Sequence, residues 1–195
     1  MKTTKILLNL FLLIIGINCK AQSPVIDLND VEPNIPNYYR KDINNVLNQF
    51  EGTYILDDGT NYLKIVFQKK IMQHIGDTYQ DILIGEYQFK QNGIEKINTL
   101  NKLTEQLPNA YHHTIDGNRY LTNHTPFDDF TTDNFRINLD MSVLEGQFAD
   151  LDVRKCVVNG QEAIQIFKRT TYYGKRGGVI PPTIVPNGFF YLIKQ

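Results

Sequence analysis

The sequence predicts a mostly β protein, an antiparallel barrel of about eight or more strands with one short N-terminal helix. Leu63, Ile65 and Phe67 recur at every second position, with Lys64 and Gln68 on the opposite face, which is the two-residue period of a half-buried strand. Pairs such as Asn92-Gly93 and Asn159-Gly160 separate the apolar stretches and suit tight hairpins. Strands joined by hairpins form a barrel or, as the alternative, a β-sandwich.

Residues 1–21 are typical of a signal peptide. Lysines precede an apolar run over 6–17, and Cys19-Lys20-Ala21 places small residues at the −3 and −1 positions of a cleavage site before Gln22. The run is shorter than the roughly 20 residues of a membrane-spanning helix. Alternatively, Cys19 is a lipid-attachment residue. We therefore expect an exported protein, periplasmic or secreted, or else lipid-anchored at the outer membrane, with no transmembrane segment in its mature chain.

The rest of the chain predicts a flexible linker over 22–37 and a single β domain over 38–195. The linker contains three prolines among Asn and Asp residues, a composition that favours extended chain. Without the three lysines of the signal peptide, 17 of the 20 Lys and Arg residues face 21 Asp and Glu, a net charge near −4. Such a balance argues against nucleic acid as a partner, because nucleic-acid binding needs a basic surface.

The first elements of the domain are a helix and two long strands. Apolar residues at helical spacing predict the helix over about 39–49. Alternation predicts strands over 63–71 and 79–90. Gly85, inside the second strand, indicates a bulge or a close approach of backbone and neighbour.

The later elements are hairpins and a closing strand. The strongest hairpin joins 151–157 to 163–169 through Asn159-Gly160, and a short apolar strand covers 189–193. Asp116-Gly117 is interpreted as a further turn, because Asp-Gly tolerates the positive φ that tight turns require.

Several blocks carry a resemblance to known proteins: Ile84-Gly85-Glu86-Tyr87-Gln88 and residues 41–54, 98–103, 113–118 and 190–195. Together they resemble a family of exported, mainly flavobacterial proteins known only as a domain of unknown function. The resemblance covers about 42–195 and implies no activity, substrate or catalytic residue. Gly52-Thr53-Tyr54 after a short helix is also similar to the entry of lipocalin-type barrels, which implies a fold alone.

The candidate metal ligands lie in the polar segment 111–133. His112, His124, Asp128 and Asp129 supply the imidazole and carboxylate groups that divalent metals bind. The competing interpretation is a polar surface loop, because the segment lacks a His-x-x-x-His motif and the pattern of a calcium loop. We expect no other cofactor, and no motif identifies a catalytic residue.

Three functions are compatible with these observations. The preferred hypothesis is a non-enzymatic exported barrel that binds a small apolar or amphipathic ligand in a partly hollow interior. The alternative is a periplasmic or cell-surface protein-interaction module, either free or as a lipoprotein, that binds another envelope protein through loops such as 101–134 or 168–182. The third is a hydrolase with two carboxylates, for which Glu86, Glu145 and several aspartates are available. Two facing carboxylates with shifted pKa values would favour this third hypothesis.

Overall fold

The computed structural model describes residues 24–121, 127, 136–144, 147–172 and 183–195. The predicted signal peptide and Cys19 lie outside these residues. The described strands are β1 (Val25–Asp27), β2 (Tyr39–Lys41), β3 (Gly52–Asp57), β4 (Asn61–Ile75), β5 (Thr78–Gln91), β6 (Ile94–Asn98), β7 (Ile115–Tyr120), β8 (Arg136–Leu144), β9 (Gln147–Val158), β10 (Gln161–Tyr172) and β11 (Gly188–Lys194). Three short 3-10 helices cover Leu47–Phe50, Leu100–Thr104 and Ala110–His112.

Eight of these strands form a closed antiparallel barrel. Their order is β5-β4-β3-β11-β10-β9-β8-β7, and the pairing of β7 with the middle of β5 closes the ring. The other three strands extend the free edge of β5: β2 pairs with its beginning and β6 with its end, while β1 pairs with β2. The predicted mostly β barrel is confirmed.

The alternation predicted for β4 and β5 sets which side chains fill the barrel. Leu63, Ile65 and Phe67 of β4 point inward and are buried. Gly85 of β5 lies opposite Phe67, and a Cβ atom at this glycine would lie 2.7 Å from Phe67 Cδ1. The aromatic ring therefore occupies the space of the missing side chain, which confirms the predicted close approach.

A packed hydrophobic cluster occupies the interior. Its members come from all eight barrel strands and from the N-terminal segment, and they include Phe50, Tyr54, Tyr87, Leu139 and Ile164. The hydroxyls of Tyr54 and Tyr87 are buried without a hydrogen-bond partner. Burial raises the pKa of Tyr54 to about 12. The two cavities described below lie on the outer face of this barrel.

The N-terminal segment differs from its prediction. The predicted helix over 39–49 is instead β2 followed, after a turn, by the 3-10 helix Leu47–Phe50. The carboxylate of Asp42 accepts hydrogen bonds from the amides of Val46 (2.8 Å) and Leu47 (3.0 Å). Asn45 adopts a left-handed φ of 53°, so the chain turns back before a regular helix begins.

The segment predicted as a flexible linker, 22–37, contributes to the sheet where it is described. Val25–Asp27 forms β1, and Leu28 is buried in the core cluster. The guanidinium of Arg40 donates to the carbonyl of Leu28 at 2.6 Å. An apolar anchor and paired backbone groups therefore hold this proline-containing stretch against the barrel.

Two details of the strands also differ from the sequence prediction. Asp116-Gly117 is not a turn but lies inside β7, where Gly117 packs against the backbone of Leu139. Ile71, at the end of the alternating strand predicted over 63–71, is 68% exposed, because the pairing register shifts between Lys70 and Gln73.

The hairpin prediction is confirmed. The strands β9 and β10 pair in register along their length. Asn159 and Gly160 between them have φ values of 52° and 79°, as a tight hairpin turn requires. The closing strand predicted over 189–193 is β11.

Candidate functional site

Three aspartates form a row across the outer face of the barrel. Asp116 of β7 pairs with Asp140 of β8, and Asp140 pairs with Asp150 of β9. The next residue in the row is Arg169 of β10. These side chains point outward because their sequence neighbours, such as Ile115, point into the barrel.

The three aspartates line an open cavity of about 490 Å³, here called the acidic cavity. Tyr111, from the 3-10 helix that precedes β7, contributes an aromatic side chain, and so does Phe148 of β9. Ser142 and Thr171 add hydroxyl groups. The cavity therefore combines carboxylates with apolar and hydroxyl-bearing surface, a mixture found in small-molecule sites.

Asp116 is the unusual member of the row. It is only 8% exposed, and its carboxylate accepts no hydrogen bond within the described part of the chain. Burial, with a smaller contribution from the negative charge of Asp140, raises the pKa of Asp116 to about 7. A buried carboxyl group without donors is costly to ionise, so this position holds a proton up to near neutral pH.

The neighbouring aspartates are partly compensated by cations. Burial and the charge of Asp150 raise the pKa of Asp140, while Arg119 opposes the shift. Asp150 accepts a hydrogen bond from Arg169 Nη2 at 3.1 Å. Like charges directly opposite each other on paired strands destabilise a sheet. The acidic cavity is therefore a place where a ligand of positive charge would relieve repulsion.

The metal ligands proposed from the sequence are not brought together in the part of the chain that the structure describes. His112 is exposed, and its Nδ1 lies 2.9 Å from Asn109 Oδ1. His124, Asp128 and Asp129 lie outside the described residues, as does Glu145. Among the residues that are described, no group of three or more His, Cys, Asp or Glu side chains could hold a metal ion.

The sequence alone does not identify the row. Asp116 belongs to an Asp-Gly pair that predicts a turn and to the polar segment 111–133 weighed for metal binding, and no pattern marks Asp140 or Asp150 as its neighbours. The alternation of Ile137, Leu139 and Met141 with polar residues does place Asp140 on the outer face. No local pattern, however, indicates which strands become neighbours, so the juxtaposition needed the sheet order.

The fold and the cavity define a class of protein: an antiparallel eight-stranded barrel with an acidic cavity on its outer face. In the described residues no helix has the length and apolarity that crossing a membrane requires. A family model described as "Family of unknown function (DUF6705)" matches residues 1–172. The chain belongs to this family. No curated protein and no solved structure matches this chain.

Proposed function

We propose that this protein is an exported, non-enzymatic binding protein whose acidic cavity takes a small amphipathic cation. The observation that carries the proposal is Asp116, a buried carboxyl group that lies opposite Asp140 and receives no hydrogen bond from the described residues. An ammonium group has three N–H donors and would supply both the donors and the positive charge that this pair lacks.

The aromatic side chains extend the argument to the rest of the ligand. Tyr111 and Phe148 are about half exposed and line the same cavity. Aromatic faces attract cations and pack against apolar groups. We favour an organic cation over a metal ion because the described carboxylates do not form a coordinating group.

Export remains part of the proposal, and it rests on the N-terminal sequence. The lysine-flanked apolar run before Cys19-Lys20-Ala21 supports secretion or a periplasmic location, with lipid anchoring through Cys19 as the other possibility. An exported chain of mild negative charge with a binding cavity fits a role in capturing small molecules outside the cytoplasm.

The test is calorimetric titration at pH 8 with three phenyl compounds of similar size. We expect 2-phenylethylammonium to bind, and the neutral 2-phenylethanol and the anionic 3-phenylpropanoate not to bind at the acidic cavity. Asp116→Asn and Asp140→Asn should each weaken binding of the cation at least about tenfold, equivalent to about 1.4 kcal/mol.

The matched control is Asp77→Asn, which removes the same charge from the exposed turn between β4 and β5. It should leave the affinity unchanged. Equal binding of the alcohol and the cation, or unchanged affinity in Asp116→Asn, would overturn the proposal.

A second candidate is a hydrolase with paired carboxylates. It is favoured by one observation: Asp116, whose pKa burial raises to about 7, faces a second carboxylate across the strand pair. Glycoside hydrolases use a protonated and an ionised carboxyl group in this way. Release of p-nitrophenol from aryl glycosides at pH 6, lost in both Asp116→Asn and Asp140→Asn, would support it. Release no faster than in buffer would count against it.

A further inference from the structure

A second cavity lies on the outer face of β4 and β5, on the other side of the segment that carries Tyr111. Residues 100–113 cover this face, and Ala110 packs on Ile82 and Ile84 of β5. The cavity has a volume of about 430 Å³. His113 lines it and is buried, so we call it the histidine cavity.

A buried carboxylate fixes the orientation of the His113 ring. Nδ1 of His113 lies 2.9 Å from Oε1 of Glu86, and the same oxygen accepts the amide of Thr114 at 3.0 Å. Because Oε1 already accepts the Thr114 amide, we assign Nδ1–H as a second donor to this oxygen. Nε2 therefore holds the lone pair, and it makes no hydrogen bond to any residue that the structure describes.

Glu86 is a buried carboxyl group with unused hydrogen-bonding capacity beside this imidazole. Its side chain is fully buried, and its second oxygen, Oε2, has no hydrogen-bond partner. A buried carboxylate with unused acceptor capacity is poorly compensated. Protonation of His113 at Nε2 would supply the missing positive charge next to Glu86, provided that an anion in the cavity offsets the imidazolium in turn.

The remaining lining suits an anion with an apolar tail. Lys70 of β4 lines the cavity, and Lys102 donates to Thr114 Oγ1, at 3.4 Å. With His113 protonated, the lining carries the positive charges of His113 and Lys70 against the negative charge of Glu105. Leu103, Leu107 and Ala110 provide apolar surface in the same cavity.

We propose that the histidine cavity binds the carboxylate end of a small amphipathic acid, with His113 Nε2 taking up one proton from solvent as the acid binds. The imidazolium then donates to the carboxylate through Nε2 and to Glu86 through Nδ1. Charge complementarity separates this site from the acidic cavity, which favours the opposite ligand charge. The two sites make independent predictions.

Calorimetric titration with octanoate at pH 8 tests the proposal, because free imidazole is neutral there. Titrations in two buffers of different ionisation enthalpy measure proton exchange. We expect octanoate to bind with uptake of close to one proton, and octanol and octylammonium not to bind at this site. His113→Asn should weaken binding at least about tenfold and abolish proton uptake, and Lys70→Met should weaken binding with uptake retained.

The matched control is His112→Asn, which removes the adjacent, exposed imidazole and should change neither affinity nor proton uptake. Asp116→Asn, at the other cavity, should also leave octanoate binding unchanged. If His113→Asn does not fold, NMR of the wild-type His113 ring replaces it, and Nε2 should become protonated on addition of octanoate. No binding at millimolar octanoate, binding without proton uptake, or a ring signal that does not move would overturn the proposal.

Discussion

Two regions of this barrel treat buried aspartates in opposite ways. At the junction of the N-terminal segment with the barrel, Asp42 accepts hydrogen bonds from two backbone amides, from Lys69 Nζ (2.7 Å) and from the hydroxyl of Tyr120 (2.7 Å). Asp81 beside it accepts three, from Tyr39, Asp42 and Met72. At the acidic cavity, Asp116 accepts none from the described residues.

The pKa values of the two groups move in opposite directions. Burial alone would raise the pKa of Asp42, but the hydrogen bonds from Lys69, Tyr120 and two amides lower it below the usual value. Burial raises the pKa of Asp116, and nothing described offsets it. The comparison teaches that burial alone does not mark a functional carboxylate. The supply of donors distinguishes a structural aspartate from one available to a ligand.

Asp42→Ala should have the largest effect. It leaves two backbone amides without their acceptor at a buried junction and removes the carboxylate partner of Lys69, which keeps only Asn48. Breaking a buried ion pair from one side costs about 3–5 kcal/mol. Urea unfolding at pH 7 measures the loss. Asp77→Ala, at an exposed turn, should stay within about 0.5 kcal/mol of wild type. A loss of less than about 1 kcal/mol in Asp42→Ala would show that the hydrogen bonds of Asp42 do not stabilise the fold.

Asp116→Asn should act in the opposite direction and stabilise the protein at pH 8. A pKa raised from 3.8 to about 7 means that the folded state holds the proton longer than the unfolded state. Wild-type stability from this group therefore falls as the pH rises from 3.8 through about 7. The full pKa shift corresponds to a destabilisation of the ionised wild type of about 4 kcal/mol. The Asn side chain avoids this cost, but burying its amide without a partner costs about 1–3 kcal/mol.

The net gain expected for Asp116→Asn is thus about 2 kcal/mol at pH 8. At pH 4 the carboxyl group is largely protonated in the folded state, so mainly the cost of the amide remains and the variant should be about 1–2 kcal/mol less stable than wild type. Urea unfolding at the two pH values measures the difference. A variant less stable than wild type at pH 8 would mean that Asp116 is a structural aspartate like Asp42.

The sequence predicted the regular part of this contrast and missed the long-range part. Alternation predicted β4 and β5. Gly85 predicted a close approach because a glycine inside a strand is visible in the sequence without knowledge of which strands pair. Asp42 escaped notice because a side chain that caps a turn looks like any other polar residue within a helical pattern. Asp116 was placed in a turn because Asp-Gly is common there, whereas its pairing with Asp140 depends on which strands the barrel joins.

Tyr39→Phe should have the smallest effect on stability, because it removes only one of the three hydrogen-bond donors to Asp81. The Tyr39 hydroxyl donates to Asp81 Oδ1 at 2.6 Å, and burial together with Asp81 raises the pKa of Tyr39. Removing the hydroxyl leaves Asp81 with two amide donors, so the expected loss is about 1 kcal/mol. Tyr38→Phe is the matched control, because its hydroxyl has no hydrogen bond to the described residues. Equal urea midpoints for the two variants would show that the two amide donors already satisfy Asp81. Asp81 would then differ from Asp116 by two effective donors rather than three.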